Sequence, residues 1–236
     1  MMEYKQLTLS DLTLPDEEIY LTMGYRNHIP DEYIMQLVTD VLAEVATTCI
    51  PRYMFRVLEA ACSGNKEIQI DHTTFRVGKI ISSYLPGMNH TCMFVTTAGK
   101  EYEAYLHHLK TTGDIVKEFV ADAIGSVIAE ACVSQISKEL AKCEGIKQSY
   151  PYSPGYCGWN IKEQKELFSL FPEKPCGISL SESYLMSPVK SISGFIALGK
   201  ELIPQPYRCE ICANKHCYKR KERTNDTYER MGTTSH

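Results

Sequence analysis

Apolar positions recur along this chain with two different periods, and each period predicts a different kind of element. Where the period is helical, helices are predicted over residues 31–47, 78–85, 99–109, 114–142 and 160–171. The helix from Asp114 to about Lys142 is the longest, and apolar side chains cover a broad side of it. We therefore expect one long helix, buried on that side, to dominate the core, with Gly145 as its stop.

Where apolar residues alternate or form short runs, the pattern predicts strands instead. These are residues 7–14, 52–60, 67–77, 91–97, 178–187 and 190–198, with a turn over 63–66. Helices and strands are mixed without strict alternation, which is typical of an α+β fold with a mainly antiparallel twisted sheet and flanking helices. We expect an N-terminal helix and strand part over 1–88, a core over 89–203, and a cysteine-containing, partly disordered tail over 204–236.

Composition and charge narrow the class of protein. Of the 236 residues, 44% are hydrophobic and 23% charged, which suits a globular protein with a sizeable core. The net charge is -4, so the chain lacks the excess of basic residues that is typical of a nucleic-acid-binding protein. There is no uninterrupted apolar run of about 18 residues and no signal-peptide pattern at the N-terminus, so we expect a cytoplasmic protein without a membrane span.

Residues 146–160 (IKQSYPYSPGYCGWN) differ in composition from the elements on either side. They hold three tyrosines, two prolines and two glycines, which cannot sustain a helix. We interpret this segment as an ordered loop.

Four blocks, taken in order, resemble the activation domain of cobalamin-dependent methionine synthase. They are AEA (129–131), SPGY (153–156), SLSESY (179–184) and SISGF (191–195). The spacing between the blocks is also similar, and LTMGYR (21–26) resembles the short, freestanding members of that family. The resemblance implies the fold of the activation domain.

The resemblance also implies a function. The family domain binds S-adenosylmethionine and docks over a corrinoid in its inactive cob(II) state, where reduction and methyl transfer restore it. The chain has no corrinoid, dinucleotide or triphosphate motif. A partner, either a corrinoid-binding protein or a methyltransferase, would therefore present the corrinoid, and a flavodoxin- or ferredoxin-type donor would supply the electron.

By the same resemblance, Glu130, Ser153, Gly155 and Tyr156 are the ligand-binding residues. A carboxylate on a mostly apolar helix needs a partner, and a cationic ligand would be one, although a solvent-facing Glu130 fits the sequence too. Gly155 allows a tight turn, and the Tyr156 ring can cover adenine or meet a cation. A structural cover over the sheet is the alternative interpretation of the loop.

Two further features of the long helix and the loop bear on this site. Asp122, Gly125 and Ser126 could share a small polar strip with Glu130, where Gly125 admits either a ligand or a close-packed neighbour. The family's arginine, which forks onto the ligand carboxylate, falls on Pro151 here. Residues 77–207 contain no arginine, which leaves Lys147, Lys162 and Lys165 as substitutes.

A second constellation lies near the C-terminus. Cys209, Cys212 and Cys217, here called the cysteine cluster, have spacing tight enough for one metal ion or one cluster. With His216, Cys157, Cys176 or an external group as the fourth ligand, the site would hold zinc or an iron–sulfur cluster. Three free thiols are the alternative. The remaining cysteines (Cys49, Cys62, Cys92, Cys132 and Cys143) are predicted to be small core residues.

The sequence thus supports three functions. The first is an S-adenosylmethionine-binding accessory for the reductive methylation of a partner's corrinoid. The second is a metal or redox protein that uses the cysteine cluster, and the third is a non-catalytic partner of corrinoid proteins.

Overall fold

The computed structural model of the chain describes residues 1–26, 28–64 and 66–204. Within them the α-helices are α1 (Asp16–Thr22), α2 (Glu32–Val45), α3 (Gly78–Ser82), α4 (Lys100–Thr112), α5 (Ile115–Leu140) and α6 (Gln164–Ser169). Short 3₁₀ turns span Leu9–Asp11, Ile161–Glu163 and Pro175–Gly177. The strands are β1 (Met2–Gln6), β2 (Arg52–Cys62), β3 (Ile68–Ile70), β4 (Thr73–Phe75), β5 (His90–Thr97), β6 (Lys147–Gln148), β7 (Ser179–Leu180), β8 (Met186–Ser187) and β9 (Ser191–Gly199).

One antiparallel sheet organises the described part of the chain. Its order is β4-β3-β2-β5-β9-β6, and β1 pairs with the first half of β2. β5 lies at the centre, paired with β2 on one side and β9 on the other. A separate hairpin joins β7 to β8. The prediction of an α+β fold with a mainly antiparallel sheet is confirmed.

The sheet separates two hydrophobic clusters, as the alternation of side chains along a strand requires. Cys92 and Phe94 of β5 face the cluster built with α1, α2, α4 and α5. Met93 and Val95, the residues between and beyond them, face the second cluster, which contains Trp159 and the 3₁₀ turn at Cys176. Both faces of β5 are therefore buried, which explains its nearly continuous apolar sequence.

The long helix α5 begins where the local sequence directs, and it ends at Leu140, before Gly145, which was predicted as its stop. Asp114 caps it, accepting a hydrogen bond from the Lys117 amide at 3.0 Å, and Gly113 before it takes a left-handed φ of 77°. By length and composition alone α5 could cross a membrane, yet 67% of that window is buried inside the fold. Its apolar surface is therefore that of a core helix.

The first turns of α5 depart from the predicted burial. Ile115 and Phe119 belong to the apolar side that was expected to be covered, but they are 77% and 52% exposed. The sheet and the other helices cover α5 only from Val120 onward. The apolar period thus extends about one turn beyond the neighbours that bury it.

Three strand predictions were wrong in detail. The alternating leucines of 7–14 form a loop and a 3₁₀ turn against the helical cluster, and the strand lies earlier, at Met2–Gln6. Residues 67–77 form two short strands, because Asp71 takes a left-handed φ of 52° and turns the chain. Residues 178–187 form the β7–β8 hairpin, whose turn places Tyr184 at φ 65°.

The cysteine predictions were mostly right. Cys49, Cys92 and Cys132 are buried and Cys62 is partly buried, whereas Cys143 is exposed because it follows the end of α5. Burial raises the pKa of the Cys49 thiol to about 12, so this group stays protonated at neutral pH.

Candidate functional site

One face of α5 follows the outer edge of the sheet, and it carries most of the predicted polar residues. Asp122, Ser126, Glu130 and Ser137 are spaced by four, four and seven residues, so they project from the same side of the helix. We call these four residues the edge strip. It includes Glu130, the residue predicted to bind ligand.

Contacts at both ends fix the direction in which the edge strip faces. At one end, Lys190 before β9 donates to Ser126 Oγ at 3.0 Å and pairs with Asp122 at 2.8 Å. At the other end, Gln148 of β6 donates to the Ser137 carbonyl at 3.1 Å. Glu130 lies between these two contacts and is partly buried. The edge strip therefore faces the β9–β6 edge of the sheet, with Glu130 near its middle.

The loop predicted from residues 146–160 is ordered and is anchored to that same edge. Its central part, residues 149–159, is called the edge loop here. Tyr152 exchanges two backbone hydrogen bonds of 2.9 Å with Phe195 of β9. Trp159, 1% exposed, packs edge-on against Phe195 and donates from Nε1 to Glu163 at 2.8 Å. Between these anchors the loop turns outward.

The outward turn holds the rest of the predicted ligand residues. Gly155 takes a φ of 92°, and its amide donates to the Trp159 carbonyl at 2.8 Å, which closes the turn. Pro154 is buried beneath it. Tyr156 is 55% exposed, so its ring is available to a ligand or to a partner.

Gly194 explains how the edge loop can lie so close to the sheet. A Cβ on Gly194 would overlap the Tyr152 carbonyl oxygen and would lie 3.0 Å from both Ser153 Oγ and Phe94 Cζ. Phe94 is the register partner of Gly194 and belongs to the helical cluster, so Ser153 lies on the α5 side of the sheet. The glycine of the SISGF block thus admits the edge loop.

The register between β5 and β9 also relates the position of Ser153 to that of Glu130. Thr96 of β5 donates to the carbonyl of Ala129 at 3.0 Å, and Thr96 is the register partner of Ile192. Ile192 and Gly194 are two residues apart, about 7 Å along a strand. Glu130 and Ser153 therefore lie on one face of the sheet, at one edge, at neighbouring levels.

The strand edge between them has outward-directed backbone groups, which are buried. Phe195 bonds outward to Tyr152, so the N–H and C=O of Ser193, two residues earlier, point outward too. Among the described residues no strand pairs with β9 at that level. Ser193 is itself buried, so a bound molecule at this edge would meet the carboxylate of Glu130, the Ser153 hydroxyl and the Tyr156 ring.

The remaining residues that were predicted for the site are either exposed or have a packing role. Pro151 is exposed, and Lys147, Lys162 and Lys165 are exposed as well. Gly125 is explained by packing: a Cβ there would lie 2.5 Å from Tyr102 Cε1 and 2.9 Å from Lys190 Cγ. The alternative that Gly125 makes room for close-packed neighbours is therefore the one that the geometry supports.

A cavity of about 370 Å³ lies elsewhere. Arg52, Lys100 and Lys174 line it together with Cys176 of the second cluster. None of the predicted ligand residues is among its lining residues. The candidate site is thus an open edge between α5, β9 and the edge loop, whereas this cavity is a different feature of the surface.

The predicted metal site cannot be placed in the same way. The cysteine cluster and His216 lie outside the described residues. Cys157 and Cys176, the other candidates for a fourth ligand, are both buried in the second cluster. Within residues 1–26, 28–64 and 66–204, no three His, Cys, Asp or Glu side chains are grouped to hold a metal ion.

Together, the antiparallel sheet, its long core helix and the polar edge define an α+β domain with an open candidate binding site. The model of the family described as "Vitamin B12 dependent methionine synthase, activation domain" matches residues 80–202, more than half of the chain. The chain belongs to this family, and the resemblance predicted from its four blocks is confirmed.

A solved structure described as the MetH reactivation domain bound to AdoHcy shares the fold. Its TM-score is 0.67 at 17% sequence identity, over 88% of this chain and 80% of that chain. No curated protein matches the sequence significantly.

Lys190 was not predicted as a site residue. Lys190 precedes β9 and lies 64 residues along the chain from Ser126, which it contacts, so no local period connects the two. The signal that existed was the SISGF block, which begins at the next residue.

Proposed function

We propose that this chain binds S-adenosylmethionine at the open edge formed by the edge strip, β9 and the edge loop. The observation that carries the proposal is the convergence of Glu130 and Ser153 on one edge of the sheet, in a member of the activation-domain family. The AdoHcy in the solved relative is of the same chemical class as this ligand.

The chemistry of the edge suits such a ligand. S-adenosylmethionine carries an ammonium and a sulfonium, and a carboxylate that is partly withdrawn from water is a strong partner for either cation. Tyr156 offers an exposed aromatic face for adenine or for the sulfonium. The ammonium, the sulfonium and the adenine ring of the ligand thus each have a complement at this edge.

In the proposed activity the chain positions S-adenosylmethionine over a corrinoid that a partner protein holds. The partner's corrinoid would supply the reactive cobalt; once reduced by one electron, the cobalt would take the sulfonium methyl group, and S-adenosylhomocysteine would be the leaving product. The role of this chain is to bind, orient and present the methyl donor, and the electron comes from a separate protein such as a flavodoxin or ferredoxin.

Titration calorimetry with the purified chain tests the binding step. We expect heat with S-adenosylmethionine, and an affinity about 10- to 100-fold lower for Glu130→Gln, because a charge-assisted contact is worth about 1.5–3 kcal/mol. Glu144→Gln is the matched control, since it removes an equal charge from an exposed site beyond the end of α5. The absence of heat with the unaltered chain would reject the proposal.

A second experiment tests the role in reactivation. The chain is mixed with a cob(II) corrinoid protein, a reductant and S-adenosylmethionine, and methylcob(III) formation is followed by absorbance. Formation that depends on the chain supports the proposal. Capture of the corrinoid protein without any affinity for S-adenosylmethionine would instead favour a non-catalytic partner.

A further inference from the structure

The family's arginine for the ligand carboxylate is replaced by Pro151 in this chain, so the carboxylate needs another cation. Because residues 77–207 contain no arginine, a lysine must supply it if the cation comes from this part of the chain. Lys147, Lys162 and Lys165 are exposed. Lys190 differs from all three, since its side chain is only 12% exposed and lies against the edge strip.

We propose that Lys190 binds the carboxylate of the amino-acid end of S-adenosylmethionine, in place of the missing arginine. The inference rests on the proposed function, because it assigns one contact of that same site. It would make Lys190 the residue by which this chain distinguishes ligands with a carboxylate from ligands without one.

The ammonium group of Lys190 is held in place with bonding capacity to spare. Its Nζ pairs with Asp122 Oδ1 at 2.8 Å and donates to Ser126 Oγ at 3.0 Å. A lysine ammonium has three donors, and these contacts use two of them. The third remains for a ligand oxygen, and fixing the side chain beforehand lowers the entropy cost of binding.

The position of Lys190 relative to Glu130 matches the charges of an amino acid. Ser126, which holds Nζ, is one helical turn before Glu130, so the Cβ atoms of the two residues are about 5–6 Å apart on the same face. In an α-amino acid the carboxylate and the ammonium are both attached to the α-carbon, so the two charges lie close together. A cation beside Ser126 and an anion at Glu130 thus present opposite charges in the order that such a group requires.

The packing around Gly125 keeps the lysine on this face. A Cβ at Gly125 would lie 2.9 Å from Lys190 Cγ, so the aliphatic stem of the lysine lies directly on the helix backbone there. The Lys190 carbonyl accepts a backbone hydrogen bond from Ala98 at 2.9 Å, which fixes the start of β9. Both the main chain and the stem of Lys190 are therefore constrained before a ligand arrives.

The test compares two ligands on matched variants of the whole chain by calorimetry. The probes are S-adenosylmethionine and its decarboxylated analogue, which keeps the sulfonium, the ammonium and the adenosine. We expect the unaltered chain to prefer S-adenosylmethionine by about 10- to 100-fold. Lys190→Met should bind both probes equally, and Lys190→Arg should restore the preference.

Asp122→Asn separates ligand contact from structural support. It breaks the same ion pair but keeps the Lys190 charge, so the preference for a carboxylate should persist. Equal loss of the preference in Asp122→Asn and Lys190→Met would show a structural role and overturn the proposal. Thermal unfolding of each variant confirms that it is folded.

The remaining outcomes distinguish the two proposals. If the unaltered chain binds neither probe, the proposed function fails. If it prefers S-adenosylmethionine and Lys190→Met keeps that preference, the function stands and the assignment of Lys190 is overturned. Loss of the preference in Lys147→Met, Lys162→Met or Lys165→Met would place the carboxylate contact at that lysine and also overturn it.

Discussion

The substitution Gly125→Ala should change the stability of α5 in two opposite ways, through helix propensity and through packing. Alanine is favoured over glycine in a helix interior by about 1 kcal/mol, so propensity alone predicts stabilisation. The new methyl group, however, would lie 2.5 Å from Tyr102 Cε1. Tyr102 is 1% exposed, and its hydroxyl donates to the Ala121 carbonyl at 2.7 Å, so the ring cannot move away without losing that bond.

The steric effect should win. Overpacking a buried site costs about 1–3 kcal/mol, and a lost buried hydrogen bond costs about 1 kcal/mol more. After the gain in helix propensity, we expect Gly125→Ala to lower the free energy of unfolding by about 1–3 kcal/mol. For a chain of this length the melting temperature should fall by about 2–4 °C per kcal/mol.

Urea unfolding followed by far-ultraviolet circular dichroism measures this change. Ser134→Ala, at an exposed position of the same helix, reports the propensity gain without the contact. In a Tyr102→Leu background, Gly125→Ala should cost less, because the ring that it strikes is gone. If Gly125→Ala stabilises the chain as Ser134→Ala does, the Tyr102 contact does not constrain this position and the reasoning is refuted.

Three further predictions concern the edge, the pH dependence and the C-terminus. Gly194→Ala should displace the edge loop, because its methyl group overlaps the Tyr152 carbonyl. We expect the free energy of unfolding in urea to fall by about 2–3 kcal/mol and S-adenosylmethionine to bind more weakly. Unchanged values of both quantities would contradict the placement of the loop. The Arg52 guanidinium, bonded to both carboxylate oxygens of Glu101 at 2.9 Å, lowers the pKa of that carboxyl below its usual value. The stabilisation from this pair is therefore complete above the unfolded pKa near 4.5 and is lost as the pH falls through the lower folded pKa. The urea midpoint of the unaltered chain should decrease below about pH 5, and this decrease should be smaller in Glu101→Gln. If the decrease is the same in both proteins, other groups cause the loss of stability. Protein prepared anaerobically should contain stoichiometric zinc, or iron with an absorption band at about 400 nm. The metal should be lost when the residues of the cysteine cluster are changed to serine. A metal-free preparation of the unaltered chain would reject the metal-binding hypothesis.

The sequence determined most of the elements by itself, since each depends on neighbours within one or two turns of the chain. The period of α5, its start at Asp114 and the composition of the edge loop are local signals, and the structure has a helix and a loop at these places as predicted. The strand errors have local causes too. An alternating pattern does not reveal where a residue such as Asp71 takes a left-handed φ and splits one strand into two.

Burial and the arrangement of the site depended on the tertiary structure. The apolar residues Ile115 and Phe119 match the period of α5, but the fold leaves them exposed, because the buried part of this helix begins only at Val120. Glu130 and the edge loop could be identified as family motifs, yet only the pairing of β5 with β9 puts them at one edge.

Lys190 shows the difference most clearly. In the sequence it is one charged residue before a strand, with no periodic relation to α5. The structure brings it across Gly125 to Asp122 and Ser126, because the register of β9 against β5 fixes where the strand begins. Local patterns record what each segment prefers, whereas contacts between segments far apart in the chain arise only when the sheet forms.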